Sequence, residues 1–175
     1  MAIDLRPLGN LILRSLKAWG SGNTKPATRP SGAKTQTRPA GVGGPYPGDF
    51  RGPLRPKYSP KPDGQPDPGE IVWGWVPYEE DSSRGKDRPV LLIGADAKWL
   101  LGLMLTSKDH DHGARADDYV DIGAGAWDRQ GRPSEVKVDR VIRLDPASIR
   151  REGAVLDKVL FNEVSRALRA QQDRR

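Results

Sequence analysis

The sequence predicts an α+β domain that is mainly β: a small, strongly bent, barrel-like sheet with a C-terminal helix, preceded by a disordered extension. Three short apolar segments follow one another between residues 69 and 105 without a helical segment between them, which argues against a doubly wound sheet. An amphipathic segment lies near the end of the chain. A Pro/Gly-rich segment precedes the first strand and supplies the extension.

The extension has two parts. Residues 1–19 carry apolar side chains at helical spacing and predict a short amphipathic helix, which could pack on its own domain, on a partner or on a membrane surface. Residues 20–68 contain 11 Pro and 9 Gly and few large apolar groups. Such a segment buries too little apolar surface to offset its chain entropy, so we predict a disordered linker.

The basic charge of the chain lies in this extension. Residues 1–68 carry 11 Lys and Arg against 4 Asp and Glu, whereas residues 69–175 carry 18 against 19. A basic extension favours polyanions such as nucleic acid or acidic lipid, and it also suits a merely soluble linker. The charge alone does not distinguish these roles.

Composition excludes several classes of site. The chain has no Cys, which rules out disulfides, thiolate metal sites and Cys nucleophiles and fits a reducing cytoplasm. No apolar run reaches the ~20 residues that cross a bilayer. The N-terminus lacks a signal-peptide pattern, because Arg14 and Lys17 interrupt its short apolar stretch.

The predicted domain, residues 69–171, begins with two strands. The first, residues 71–75, leads into a polar loop, residues 78–87, that is too long for a tight hairpin. The second, residues 88–94, is almost wholly apolar and predicts burial on both faces. Pro89 falls at its first residues, where a missing donor is tolerated.

The later elements follow from similar patterns. The third strand, residues 99–105, is apolar, and Gly102 is a candidate bulge. A short strand is predicted at residues 119–122, and the alternation over residues 135–144 predicts a half-buried strand with one register irregularity.

The end of the domain is predicted to be helical. Asp145-Pro146 predicts a helix N-cap followed by Pro at the first helical position, which gives a short turn to Arg151. The last element is a helix over residues 155–170. Its apolar face consists of Leu156, Val159, Leu160, Val164, Ala167 and Leu168.

The order of these segments resembles the MazF/PemK toxins of type II toxin–antitoxin systems. The resemblance rests on Gly69-Glu70-Ile71-Val72-Trp73 with its polar loop, on Arg88-Pro89-Val90-Leu91-Leu92-Ile93, and on the apolar strand that ends in Thr106-Ser107. Residues 138–144 also resemble that family's last strand. The resemblance covers about residues 68–170, and the preceding residues have no counterpart in compact family members.

The resemblance implies a small SH3-like barrel that forms a homodimer and cuts single-stranded RNA at short sequence motifs. It implies products with a 2′,3′-cyclic phosphate and a 5′-hydroxyl, and a reaction without metal or other cofactor. The implied partners are the RNA substrate, a cognate antitoxin whose extended acidic segment lies across the active-site groove, and a second copy of the chain. The expected location is the cytoplasm.

By the same resemblance, Arg88 and Thr106 match active-site positions, and we predict that they meet over one phosphate. A guanidinium matches two phosphate oxygens and keeps its proton near neutrality, so Arg88 is expected to clamp the transition state and to be a candidate proton donor. Thr106 is expected to donate a hydrogen bond to phosphate or to orient the 2′-hydroxyl. Further substrate contacts are predicted at Ser107, Glu79, Arg84, Lys86 and Lys108.

The general base stays open, because neither Arg88 nor Thr106 suits that role. Five carboxylates are candidates by proximity in sequence: Glu79, Glu80, Asp81, Asp87 and Asp109. Some family members are described with an Arg/Asp/His set, but no equivalent His aligns securely here.

Less specific interpretations apply to several of these residues. An Arg that begins a strand is commonly a solvated edge charge, and a Thr at a strand end commonly reflects β-propensity. The run Asp109-His110-Asp111-His112 has metal-ligand residue types, but adjacent ligands in a loop are weak evidence, so we predict no metal site there. Trp73, Trp75 and Trp99 could stack on bases, although Trp in apolar strands more commonly lies in a core.

Two other function classes stay open. A gyrase-poisoning toxin shares this fold, but its activity depends on an aromatic C-terminal end, whereas this chain ends in Gln171-Gln172-Asp173-Arg174-Arg175. A non-catalytic binding module, tethered by the basic extension to nucleic acid, membrane or a partner, is the other alternative.

Overall fold

The computed structural model describes residues 36–37, 45–110 and 115–174. The strands are β1 (Gln36–Thr37), β2 (Glu70–Pro77), β3 (Arg84–Asp96), β4 (Trp99–Thr106), β5 (Tyr119–Gly123), β6 (Ser134–Lys137), β7 (Ile142–Leu144) and β8 (Arg151–Val155). The helices are α1 (Lys158–Asp173) and two short 3-10 helices, Ala116–Asp118 and Pro146–Ser148.

The strands form one curled antiparallel sheet in the order β5-β6-β4-β3-β2-β8, with β1 paired to β3 and β7 paired to β4. Strand β4 changes its partner along its length: residues 100–102 pair with β7, and Leu105 and Thr106 pair with β6. A register shift between Leu92 and Gly94 adds to the bending of β3. The result is a half-barrel with a C-terminal helix, which confirms the predicted fold class.

The central strands are buried on both faces, as their apolar sequences predict. On one face, Leu91 and Leu103 pack in a cluster with Phe161 and Leu168 of α1. On the other face, Val90 belongs to a second cluster. The remaining buried members of that cluster are Val72, Val76, Leu92, Ile142 and Leu144. Burial of each such side chain contributes about 1.5–3 kcal/mol, so these two clusters are the main source of stability.

Residues 45–68, here called the N-terminal segment, pack against the half-barrel. Phe50, Leu54 and Tyr58 all contact the first cluster, and the Tyr58 hydroxyl donates a hydrogen bond to the Leu156 carbonyl at 2.9 Å. The predicted disorder of the linker is therefore wrong for this segment. Three large side chains, each placed over an apolar part of the domain, supply enough buried surface to order a chain that is rich in Pro and Gly.

Gly69 shows how closely this segment approaches the domain. Its φ is +105°, and a Cβ at this position would lie 2.8 Å from the ring of Tyr58. Only glycine accommodates both the backbone conformation and the contact. The predicted N-terminal helix, residues 1–19, and most of the linker before residue 45 lie outside the described residues.

Strand β3 differs from its prediction in two ways. It begins at Arg84 rather than at Arg88, so the polar loop is shorter than predicted and Pro89 lies within the strand. The ladder between β3 and β4 begins only at Val90, so it does not require an N–H from Pro89. The bulge lies in β3 between Leu92 and Gly94 and not at Gly102, where an added Cβ would overlap the Val90 side chain.

The structure also differs from the prediction at the end of the domain. The segment 135–144 forms two strands instead of one, and Arg151–Val155 forms β8, where the sequence predicted only a turn and the first residue of the helix. Asp145 caps the second 3-10 helix by accepting a hydrogen bond from the Ala147 amide at 2.9 Å, as predicted. Helix α1 starts three residues later than predicted, after the cap Asp157.

In the part of the chain that the structure describes, no helix has the length and apolar character needed to span a membrane.

Candidate functional site

Strands β3 and β4 separate at one end of their shared ladder. Val90 and Met104 form the last pair there, after which β4 pairs with β6 through Leu105 and Thr106 while β3 stays paired with β2 back to Gly85. We call this divergence the fork. It separates the first residues of β3 from the end of β4, and each of these two segments lines a cavity of its own.

Side-chain alternation decides which residues face the fork. Arg88 lies two residues before Val90, and Thr106 lies two residues after Met104, so both project from the face that carries the Val90–Met104 pair. Glu135 is the partner of Thr106 across the β4–β6 ladder and therefore projects from the same face. The structure thus places Arg88, Thr106 and Glu135 on one face of the sheet, on the two sides of the fork.

Arg88 lies in a cavity of about 270 Å³, here called the Arg88 cleft. Its lining residues are Val76, Pro77, Tyr78, Glu79, Glu80, Arg88, Met104 and Arg140. The Arg88 side chain is half-buried, and no residue within 45–110 or 115–174 forms a hydrogen bond or an ion pair with it. A cation in this state is available to an incoming anion without first breaking an internal pair.

Arg140, the second arginine of the cleft, is fully engaged. Its Nε donates to Asp49 Oδ2 at 2.7 Å, its second guanidinium nitrogen donates to Asp49 Oδ1 at 3.1 Å, and its third donates to the Pro77 carbonyl at 2.8 Å. Burial raises the pKa of Asp49, but the hydrogen bonds from Arg140 and Tyr46 outweigh burial and hold that pKa below its ordinary value. Arg140 therefore anchors the N-terminal segment to the domain.

Glu79, a predicted substrate contact and candidate base, is paired. It accepts a hydrogen bond from the ammonium of Lys137, a side chain that is only 5% exposed and also lies 3.2 Å from Asp139. This hydrogen bond, followed by the charge of Lys137, lowers the pKa of Glu79. A carboxylate with a lowered pKa is a poor proton acceptor, so the geometry argues against Glu79 as the base.

Thr106 lies in a second cavity, of about 210 Å³, here called the Thr106 cleft. Its lining residues are Thr106, Ser107, Lys108, Asp109, Asp121, Pro133, Ser134 and Glu135. Thr106 Oγ1 accepts a hydrogen bond from the Lys108 amide at 3.2 Å. Since that contact uses the oxygen as an acceptor, the hydroxyl proton is left to be donated. Ser107 and Lys108, predicted to contact substrate, are exposed beside it.

A histidine that sequence reasoning left unassigned adjoins this cleft. The His110 amide donates to Glu135 Oε1 at 3.0 Å, and His110 Nδ1 lies 2.7 Å from Glu135 Oε2. The imidazole also stacks on the Tyr119 ring, with the ring centroids 3.9 Å apart and the planes 1° from parallel. Because Glu135 follows His110 by 25 residues, only the β4–β6 pairing reveals this contact.

The other predicted residues differ in their environments. Arg84 is exposed at the start of β3, and Lys86 is half-buried with its ammonium 6.0 Å from the centre of the Tyr78 ring. Lys86 lies two residues before Arg88 and shares its face of the strand. Of the candidate bases, Asp81 accepts hydrogen bonds from Ser83, which lower its pKa.

The remaining predictions concern aromatic and metal sites. Trp75 is 7% exposed and belongs to the interior, and the Trp73 indole donates to the Trp127 carbonyl at 2.9 Å. Across the described residues, no group of three or more His, Asp or Glu side chains is arranged to hold a metal ion. Two members of the predicted Asp/His run, Asp111 and His112, lie outside those residues.

Solved structures of toxins are similar to this chain. An endoribonuclease in complex with its cognate antitoxin, from a mycobacterial species, is 14% identical with a TM-score of 0.48, and the match covers 62% of this chain and 95% of that one. MazF from a Deinococcus radiodurans MazE–MazF structure is 22% identical with a TM-score of 0.45, covering 62% and 95%. The Mycobacterium tuberculosis toxin MazF-mt6 is 14% identical with a TM-score of 0.44, covering 59% and 96%.

Sequence comparison gives the assignment. No curated protein matches the chain significantly. Residues 67–171 match the family model described as PemK-like, MazF-like toxins of type II toxin–antitoxin systems. Because the matched residues make up more than half of the chain, the chain belongs to the PemK-like, MazF-like toxin family of type II toxin–antitoxin systems.

Proposed function

We propose that this toxin cuts single-stranded RNA at short sequence motifs without a metal ion, and that the scissile phosphate binds at the fork. One observation carries the proposal: Arg88 is a half-buried cation without a partner among the described residues, and it shares a face with the Thr106 hydroxyl. Membership of the toxin family supports the same reaction.

The chemistry follows from what these two groups can do. The RNA 2′-oxygen attacks the adjacent phosphorus, the bond to the 5′-oxygen breaks, and the phosphate gains charge in the transition state. The Arg88 guanidinium would hold two phosphate oxygens as that charge develops. Thr106 would donate a hydrogen bond, since its oxygen already accepts one from the Lys108 amide. Removal of one such donor typically lowers the rate about 10²–10³-fold.

Three cations around the fork would guide the substrate. Arg84 and Lys86 lie on β3 before Arg88, and Lys108 lies just past Thr106, so cations flank both sides of the fork. The same positive surface would suit the acidic segment of a cognate antitoxin. We further propose a homodimer that acts in the cytoplasm.

Arg88→Ala tests the proposal. We expect cleavage of single-stranded RNA, measured with chelator present, to fall at least about 100-fold because the phosphate loses its clamp. Thr106→Val keeps the side-chain shape and should lower the rate about 10²–10³-fold, because one hydrogen-bond donor to the phosphate is lost. Arg166→Ala is a matched control, because Arg166 is 70% exposed on α1, and it should cut at the wild-type rate.

Two further measurements complete the test: the chemical ends of the cut RNA and the unfolding temperature of the variant. The cut RNA should carry a 2′,3′-cyclic phosphate and a 5′-hydroxyl, and the Arg88→Ala protein should unfold at the wild-type temperature. Undiminished cleavage by a folded Arg88→Ala protein would contradict the role of Arg88. Inhibition of gyrase supercoiling without RNA cleavage would instead favour the gyrase-poison alternative.

A further inference from the structure

We propose that His110, held by Glu135, is the general base that accepts the proton of the RNA 2′-hydroxyl. The inference rests on the proposed nuclease function and adds the proton acceptor that neither Arg88 nor Thr106 supplies. It is carried by the double contact between one buried carboxylate and one histidine, next to Thr106.

Glu135 is built into the sheet and presents a fixed carboxylate. Its side chain is 10% exposed, and its backbone pairs with Thr106 on one side and Asp121 on the other. One oxygen accepts from the His110 amide and the other contacts His110 Nδ1. Backbone and ring of His110 are thus fixed by the same group, and Tyr119 fixes the plane of the ring by stacking.

This contact also selects the form of the imidazole. A carboxylate only accepts hydrogen bonds, so Nδ1 must carry the proton that lies between the two groups. In the neutral ring, Nε2 then holds the lone pair and can accept a proton. The negative carboxylate stabilises the imidazolium that results, so Glu135 is a positioning residue that acts through His110.

The step balances without a further reagent. The 2′-oxygen bonds to phosphorus as its proton passes to His110 Nε2, and the bond from phosphorus to the 5′-oxygen breaks. Water protonates the departing 5′-oxygen, and the imidazolium neutralises the hydroxide that this leaves. Arg88 and Thr106 act on the phosphate oxygens throughout, so each residue has a separate task.

Other charged groups lie near His110 in the Thr106 cleft. Asp109 and Lys108 are exposed beside His110, and Asp121 is exposed on β5 and accepts a hydrogen bond from the Gly123 amide at 2.7 Å. These residues and Glu135 are the described titratable groups that line the cleft, and Glu135 and Tyr119 contact the imidazole itself.

The experiment measures single-turnover cleavage of a single-stranded RNA, with chelator, between pH 5 and 8.5. His110→Gln should lower the rate about 10²–10⁴-fold, the usual contribution of a general base, and should abolish the fall in rate on the acid side. Glu135→Gln should lower the rate about 10-fold and keep the acid-side fall. Glu163→Gln is the matched control: it makes the same carboxylate-to-amide change on α1, where the Glu163 side chain is 44% exposed, and it should change neither the rate nor the acid-side fall.

A histidine with a purely structural role would give different results. His110→Ala removes the ring, and added imidazole should restore part of its rate if the lost group is the base. The inference is overturned if wild-type protein cuts RNA and His110→Gln cuts equally well. It is also overturned if the His110 variants lose activity but keep the acid-side fall, or if imidazole does not rescue His110→Ala. If wild-type protein cuts no RNA, the proposed function fails instead.

Discussion

Arg88 and Arg140 line the same cleft, yet their surroundings are opposite. Arg140 is 8% exposed and donates to both oxygens of Asp49 and to a backbone carbonyl, whereas Arg88 is half-buried without a partner among the described residues. The difference separates two arrangements: Arg140 holds the N-terminal segment on the domain, whereas the proposed function assigns Arg88 to an anion from outside. Position in a cleft therefore says less about function than whether a charge is already neutralised.

Removing each guanidinium in turn should have unequal effects on the stability of the protein. Arg140→Met should lower the free energy of unfolding by about 2–3 kcal/mol, because Asp49 and the Pro77 carbonyl lose their donors in a partly buried place. Arg88→Met should change it by less than about 0.5 kcal/mol, since no internal pair is lost. Urea denaturation of both proteins measures the difference. Equal losses would show that Arg88 also has a structural role.

Acid pH should weaken the same anchor. The pKa of Asp49 is lower in the folded protein than its ordinary value of 3.8. The contribution of Asp49 to stability is therefore fully present above pH 3.8 and is lost as the pH falls through the lower folded pKa. Burial and the hydrogen bond to Asp49 raise the pKa of Tyr46, so its contribution is lost only at alkaline pH, above the ordinary value of 10.0. Near neutral pH, Asp49→Asn should have a lower free energy of unfolding than the wild-type protein. This difference should shrink below a pH of about 4, as measured by urea denaturation at several pH values.

The smallest expected effect concerns the other end of the N-terminal segment. Tyr58→Phe removes the hydrogen bond to the Leu156 carbonyl but keeps the edge-on ring contact with Phe161 at 5.2 Å. We expect a loss of about 1 kcal/mol in the free energy of unfolding. RNA cleavage should stay at the wild-type level, because this contact lies on the helix side of the sheet. A loss of cleavage without a loss of stability would link the segment to the site.

Local sequence pattern predicted the central strands and the C-terminal helix because their apolar residues repeat at periods that only one structure can bury. It failed where a contact is not local. Strand β8 has a polar and glycine-bearing sequence, Arg151-Glu152-Gly153-Ala154-Val155, and is a strand only because the free edge of β2 lies beside it. The N-terminal segment was predicted to be disordered because its few aromatic residues are far apart in sequence and meet the core only in three dimensions.

By itself, the sequence determined the fold class, the toxin family and the two residues, Arg88 and Thr106, expected to act on phosphate, because these depend on short runs and their spacing. Only the tertiary structure decided which charges remain available and which are neutralised. It paired Arg140 with Asp49 across 91 residues and His110 with Glu135 across 25. A charge that another part of the chain neutralises is less available to a substrate, and contacts between distant segments decide which charges these are.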